Sequence, residues 1–117
     1  MIEVGDYVRI DKDHRIIALG IAKVVKTINE TIYVKNNFEL PITIDKNSIS
    51  KHSKNIVDLI EVGDIVEIFD VLNEDVIYIW NEEMLKALKE DIKNGIGIRR
   101  ILTHEQFEAN CYKVEEE

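Results

Sequence analysis

Short apolar runs separated by polar turns predict that the first half of the chain folds into β-strands. Val8 and Ile10 alternate with other residues directly after Gly5-Asp6, which is typical of a turn that leads into a half-buried strand. Three further β-branched or apolar runs lie at 15–28, 31–35 and 38–44. Four or five short antiparallel strands in this space are typical of a small SH3-like β-barrel.

An internal repeat divides the chain into two parts. Residues 2–10 recur as residues 60–68 and match at seven of nine positions. The predicted organisation is therefore an SH3-like β-barrel module over 1–52, a linker over 53–59, and a second module over 60–117 that opens with the same strand motif. The polar stretch 45–55 is expected to leave the barrel, with Ser53 or Asn55 capping a short helical turn.

The second module is predicted to combine strands with one clear helix over 81–94. Asn81 is a favourable N-cap and Gly95 a favourable C-terminal stop. Leu85, Leu88 and Ile92 form an apolar stripe that is expected to pack on the second hairpin. Apolar strands are predicted at 76–80, 96–102 and 112–114, and the spacing of Thr103 and Gln106 predicts a capping box before a helical turn that ends near residue 110. The predicted class is mainly β, with an α+β second half.

Charge and composition argue against several classes of function. The chain has 117 residues, with 15 Lys and Arg against 23 Asp and Glu, and its formal charge of −8 argues against a general affinity for nucleic acid or anionic membranes. No apolar run is long enough to cross a membrane, and the first residues lack the basic start of a signal peptide. With a single cysteine, Cys111, the chain is expected to lie in the cytoplasm.

Residues that often carry catalysis or bind metals stand here without the partners that such chemistry requires. They are His14, His52, His104, Cys111, Asp11-x-Asp13 and Gly95-x-Gly97. The histidines lie far apart in the sequence, the acidic pair lacks the rest of a calcium loop, and the glycine pair lacks the third glycine of a dinucleotide site. The prediction is a protein that is not an enzyme and has no cofactor and no metal.

The acidic residues are distributed unevenly and indicate a binding surface. Residues 1–58 hold nine bases and eight acids, whereas residues 59–117 hold six bases and fifteen acids. The candidate partner-binding residues are the acids of an interval without Lys or Arg, together with two aromatic anchors: Glu61, Asp64, Glu67, Asp70, Glu74, Asp75, Glu82, Glu83, Tyr78 and Trp80. Carboxylates in such number would meet a basic surface on another protein. Core packing is nevertheless the main expectation for Trp80.

Three segments resemble short uncharacterised proteins of phages and prophages of low-GC Gram-positive bacteria. They are Val4-Gly5-Asp6-Tyr7-Val8-Arg9, the run from Ser53 to Asp64 that contains Asn-Ile-Val-Asp-Leu-Ile-Glu-Val-Gly-Asp, and the closing region from Ile101 to Val114. The first half also resembles SH3-like barrels of the KOW type, on Gly-Asp-x-Val and Gly20-Ile21-Ala22-Lys23-Val24.

These resemblances imply a phage-encoded protein that acts in the bacterial host cell. Its acidic face would engage a host protein, such as a defence component that binds nucleic acid, and it would act as an inhibitor of the anti-CRISPR kind. Two alternatives stay open. One is a small barrel that binds nucleic acid through Arg9, Lys12, Arg15, Lys23 and Lys26, and the other is a phage accessory protein without an inhibitory role.

Overall fold

The computed structural model describes residues 1–10, 20–36, 41–110 and 114. Its strands are β1 (Tyr7–Ile10), β2 (Ile21–Ile28), β3 (Thr31–Lys35), β4 (Ile42–Asp45), β5 (Ile49–Ser53), β6 (Ile65–Phe69), β7 (Glu74–Tyr78) and β8 (Gly97–Leu102). Its α-helices are α1 (Glu82–Lys93) and α2 (His104–Asn110), and two short 3-10 helices cover Lys46–Ser48 and Ile56–Leu59. The protein is thus mainly β, as predicted.

Two antiparallel sheets each carry an apolar core. The first sheet has the order β4-β3-β2-β1-β5, and the second has the order β7-β6-β8. Alternate residues of the first sheet, among them Val8, Val24 and Val34, form one buried cluster. Val66 and Ile79 of the second module pack with Leu85 and Leu88 of α1, so the helix covers one face of the second sheet as its apolar stripe predicts.

The sequence repeat is also a structural repeat. The Oδ2 atom of Asp6 accepts a hydrogen bond from the N–H of Glu3 at 3.0 Å, and the Oδ2 atom of Asp64 accepts the equivalent bond from Glu61 at 2.8 Å. Gly5 and Gly63 adopt φ values of 93° and 98°, a conformation that favours glycine. The same Gly-Asp turn therefore begins β1 and β6.

The two repeated strands occupy equivalent positions in their sheets. β1 lies between β2 and β5, and β6 lies between β7 and β8. The register of β1 with β5 shifts between Arg9 and Ile10, and the register of β6 with β8 shifts between Glu67 and Ile68. These two shifts are 58 residues apart, which is the offset of the sequence repeat.

Side-chain caps set the helix boundaries that the sequence predicts. The Oδ1 atom of Asn81 accepts the N–H of Met84 at 2.9 Å, and Gly95 ends the helix with φ 114°. Thr103 and Gln106 form the predicted capping box, since each side chain accepts a bond from the N–H of the other residue, at 3.1 and 2.9 Å. Asn55 caps the 3-10 helix through the N–H of Val57.

Two expectations about local structure need correction. The polar stretch 45–55, expected to leave the barrel, contains β5, which pairs with β1 inside the first sheet. Its polar side chains give no apolar alternation that would predict a strand, because the strand is held in the sheet by backbone hydrogen bonds to β1. The strand expected at 76–80 is β7, which begins and ends two residues earlier. The module boundaries at 52 and 60 stay a prediction. Residues 112 and 113 of the proposed strand at 112–114, Cys111 and parts of the runs 15–28 and 38–44 lie outside the described residues.

The repeated turn predicts a pH dependence of stability. Hydrogen bonds from the backbone of Glu3 and the side chains of Lys54 and His52 lower the pKa of Asp6 from 3.8 to about 2. A folded pKa below the unfolded one means that ionised Asp6 stabilises the fold above about pH 4, and that this stabilisation is lost as the pH falls toward 2. Asp6→Asn should cost about 1.5–3 kcal/mol at pH 7, the usual worth of a hydrogen bond to a charged group.

Urea denaturation of both proteins between pH 7 and pH 2.5 would measure this cost. The difference between Asp6→Asn and the unsubstituted protein should shrink below pH 4. Asp91→Asn, at an exposed residue of α1, is the matched control and should show little change at any pH. A cost of Asp6→Asn that stays constant down to pH 2.5 would contradict the assignment.

Candidate functional site

A fully buried arginine joins the two modules. Arg9 lies on β1, and its side chain is 0% exposed. Its Nη1 and Nη2 atoms donate to the two oxygens of Asp64 at 2.6 and 2.7 Å, and its Nε and Nη2 atoms donate to Glu105 at 3.0 and 2.6 Å. Nη1 also donates to the carbonyl oxygen of Leu59 at 2.8 Å. All five N–H groups of the guanidinium therefore have an acceptor.

The carboxylate of Asp64, like the guanidinium of Arg9, has hydrogen-bond partners on every side: it accepts four hydrogen bonds. Besides the two bonds from Arg9, it accepts the backbone N–H groups of Glu61 at 2.8 Å and His104 at 3.0 Å. Asp64 is 0% exposed. The expectation that it contacts a partner protein is therefore wrong, and so is the placement of Arg9 in a nucleic-acid surface. Lys12 and Arg15 lie outside the described residues.

We call Arg9, Glu61, Asp64, His104 and Glu105 the Arg9 centre. Burial alone lowers the pKa of Arg9, but the hydrogen bonds to Asp64 and Glu105 more than offset this and raise it. Burial raises the pKa of Glu61, whereas its contacts with Lys51, Arg9 and His104 lower it to a net value below normal. Both groups are thus held in their charged forms.

Three side chains of the Arg9 centre have the spacing of a metal site. The ligand atoms of Glu61, His104 and Glu105 all lie within 4.8 Å of one another. Both Glu105 oxygens already accept hydrogen bonds from Arg9, and Glu61 contacts Lys51 at 3.0 Å. A divalent cation here would be repelled by the guanidinium, so the geometry favours an ion-pair network over a metal centre.

Two more of the predicted partner-binding acids form pairs within their own module. Glu67 contacts Arg99 and Arg100, and Glu74 contacts Arg99. Their cations come from β8, so the absence of Lys and Arg within 61–83 does not leave these carboxylates uncompensated. Asp70, Asp75, Glu82 and Glu83 are exposed and, in the parts of the chain that the structure covers, form no salt bridge.

These four acids flank a strip of exposed apolar side chains along β7 and its neighbouring turns. We define the β7 surface as this strip and the four acids: Val71, Leu72, Val76, Tyr78, Trp80, Asp70, Asp75, Glu82 and Glu83. Trp80 is 72% exposed and Tyr78 is 48% exposed, and their rings form an edge-to-face pair with centroids 5.4 Å apart. The expectation that Trp80 packs in the core is therefore wrong.

The aromatic pair is exposed because of its position in the sheet. β7 is an edge strand, and Ile77 and Ile79 turn toward the core beneath α1. Tyr78 and Trp80 alternate with them and point to the uncovered face. The bond from the N–H of Ile79 to Asp64 shows which backbone groups face β6, so the N–H and C=O groups of Tyr78 face the open edge.

The sequence predicted only some of the residues of the β7 surface. Tyr78, Trp80 and the four free acids belong to the predicted set, whereas Val71 and Leu72 do not. Val71 and Leu72 lie at a turn, which Asp70 stabilises by accepting the N–H groups of Leu72 and Asn73. Their exposure of 98% and 88% is a signal that only the structure supplies.

Removal of the buried cation is expected to destabilise the whole molecule. Arg9→Met leaves Asp64 and Glu105 without their cation and should lower the free energy of unfolding by about 3–5 kcal/mol. Lys51→Met removes a half-exposed partner of Glu61 and should cost below about 1 kcal/mol. Urea denaturation at pH 7 would measure both changes.

Arg9→Lys keeps the charge but offers three N–H donors in place of five, so its stability should fall between those of Arg9→Met and the unsubstituted protein. This variant keeps the test informative if Arg9→Met does not fold. Equal stabilities of Arg9→Met and Lys51→Met would show that the Arg9 centre does not hold the structure together.

No protein-family model, curated protein sequence or solved structure matches this chain. No helix among the described residues has the length and apolar character needed to span a membrane.

Proposed function

We propose that this protein is a non-catalytic binding protein that engages a basic partner protein through the β7 surface. The observation that carries the proposal is the exposed pair of Tyr78 and Trp80, at the end of β7 and just beyond it, at the edge of the second sheet. Large aromatic side chains lose much favourable burial when they stay in water, and they are the residues most often found to dominate binding energy.

The arrangement around the aromatic pair has the anatomy of a protein interface. Val76 extends the apolar strip toward the hairpin, where Val71 and Leu72 are almost fully exposed. Carboxylates lie at both ends, with Asp75 near the hairpin and Glu82 at the start of α1. An apolar centre with a charged rim is typical of a surface that another protein covers.

The charge of the rim determines which kind of partner fits. Its carboxylates have no internal cations among the described residues, so a partner that presents Lys or Arg would both bind faster and orient correctly. A second copy of this chain fits poorly, because antiparallel pairing of two β7 strands would place the acidic end of one copy against the acidic end of the other. A basic surface on a different protein is the better match.

The resemblance to phage proteins gives this proposal a more specific form. The partner would be a protein of the bacterial host, and a defence component that binds nucleic acid would present a suitable basic surface. Occupation of that surface by carboxylates would exclude phosphates and so inhibit in the anti-CRISPR manner. An accessory role that depends on the same contact without inhibition is the second form.

Substitution of the aromatic pair tests the proposal directly. The immobilised protein would be used to capture partners from a lysate of a low-GC Gram-positive host, and the purified captured protein would then be titrated against each variant. Trp80→Ala should weaken binding about 30-fold, which corresponds to a hot-spot loss of about 2 kcal/mol. Glu82→Gln/Glu83→Gln should slow association and reduce its dependence on salt.

Glu90→Gln/Asp91→Asn is the matched control, because it also removes two negative charges, at the opposite end of α1. It should leave the affinity unchanged. Retained affinity in Trp80→Ala, or an equal loss in the control pair, would refute the role of the β7 surface. Circular dichroism would confirm that each variant keeps its fold.

A further inference from the structure

A second surface lies between the two sheets and differs from the β7 surface in charge. The outer faces of the sheets meet at an open groove of about 780 Å³. Tyr7, Lys23 and Lys35 line it from β1, β2 and β3, while Ile65 and Leu102 line it from β6 and β8. The groove has room for a ligand of the size of a nucleotide or a few linked ones.

The groove is basic although the chain as a whole is acidic. Its described lining contains four cations, Lys23, Lys35, Arg99 and Arg100, and a single carboxylate, Glu67. Arg99 and Arg100 both contact Glu67, whose side chain is 14% exposed and so is largely screened by them. The whole chain has 15 bases against 23 acids, so this lining reverses the overall balance.

The two lysines differ from the other lysines of the first module that form salt bridges. Lys51 and Lys54 form salt bridges with carboxylates, and Lys46 pairs with Glu30. Lys23 and Lys35 contact no carboxylate among the described residues. They are neighbours across β2 and β3 on the outer face of the first sheet, so their charges are directed at the same region of solvent.

Aromatic and apolar surface lies beside these cations. The Nζ atom of Lys23 lies 5.6 Å from the ring centroid of Tyr7, and that of Lys26 lies 5.7 Å from the centroid of Tyr33. Tyr33 shares the outer face of the sheet with Lys35, since Val34 between them points into the core. The face therefore alternates cations with partly exposed tyrosine rings.

We propose that the groove binds single-stranded nucleic acid. Lys23, Lys35 and Arg100 would contact phosphates, while unpaired bases would lie against Tyr7 and the apolar side chains of the floor. A positively charged groove with aromatic side chains is the usual design for binding a single strand without reading its sequence. A duplex would hide the base faces that the tyrosines and apolar floor would contact.

The net charge of −8 does not prevent this contact. At physiological ionic strength, charges more than about 8 Å apart on the surface are largely screened, so the cations of the groove dominate at short range. The overall charge would weaken association at low salt compared with a basic protein. The affinity is therefore expected to be lower than that of dedicated basic nucleic-acid-binding proteins.

Fluorescence anisotropy with labelled 12-nucleotide dT and U strands would test the proposal on the intact protein. Binding should occur at 50 mM NaCl and weaken steeply by 200 mM, because three phosphate contacts give a salt slope of about −2. Lys23→Ala/Lys35→Ala should weaken binding at least tenfold and reduce that slope by about 1.4. Tyr7→Ala should weaken it at least fivefold without changing the slope.

Lys86→Ala/Lys93→Ala is the matched control, because it removes two exposed lysines of α1 and changes the net charge equally. It should bind like the unsubstituted protein. No binding at 50 mM NaCl, an equal affinity for duplex DNA or for an acidic peptide, or an equal loss in the control would each overturn the proposal. The proposal would also be overturned if AMP bound as tightly as the strands, because the groove would then bind a single nucleotide and not a strand. Trp80→Ala should leave this affinity unchanged, so the β7 surface and the groove are tested separately.

Discussion

The structure depends on the burial of one guanidinium. Arg9 cannot lose its proton, and a buried charge without partners would cost more than the fold of a small protein can tolerate. The required acceptors come from positions 55 and 96 residues further along the chain, at Asp64 and Glu105. The first module therefore reaches its stable form only when the turn before β6 and the start of α2 are in place. Part of the acidity of the second half is structural in origin.

The internal repeat shows how one position acquired two different roles. Residue 9 and residue 67 occupy equivalent places beside the register shifts of β1 and β6. Glu67 finds its cations on the neighbouring strand of its own sheet, at Arg99 and Arg100. Arg9 instead takes its carboxylates from the other module. Equivalent backbone positions thus hold salt bridges within one module at Glu67 and salt bridges between the two modules at Arg9.

Most of the local structure could be predicted because it depends on neighbouring residues. Caps at Asn81 and Thr103 act over three residues, and the Gly-Asp turn is complete within four. β5 could not be predicted in this way, since its side chains are polar and its partner is β1, some 40 residues earlier.

The Arg9 centre escaped prediction for a similar reason. Strict alternation along β1 places Arg9 on the face opposite Val8 and Ile10, and a single sheet would leave that face in water. Only the position of the second module shows that the face is covered. Trp80 is the opposite case: the run 76–80 is continuously apolar, so alternation could not show which side chains α1 leaves exposed.

Two groups of charges that have no salt bridge among the described residues are segregated by sign. Asp70, Asp75, Glu82 and Glu83 lie at the β7 surface, and Lys23 and Lys35 lie in the groove beside the outer face of the second sheet. Val76 belongs to both surfaces. Ligands on the two surfaces would therefore lie close together and carry opposite charges, basic on the edge and anionic in the groove. Such ligands attract each other, so each would raise the affinity of the other by the same factor.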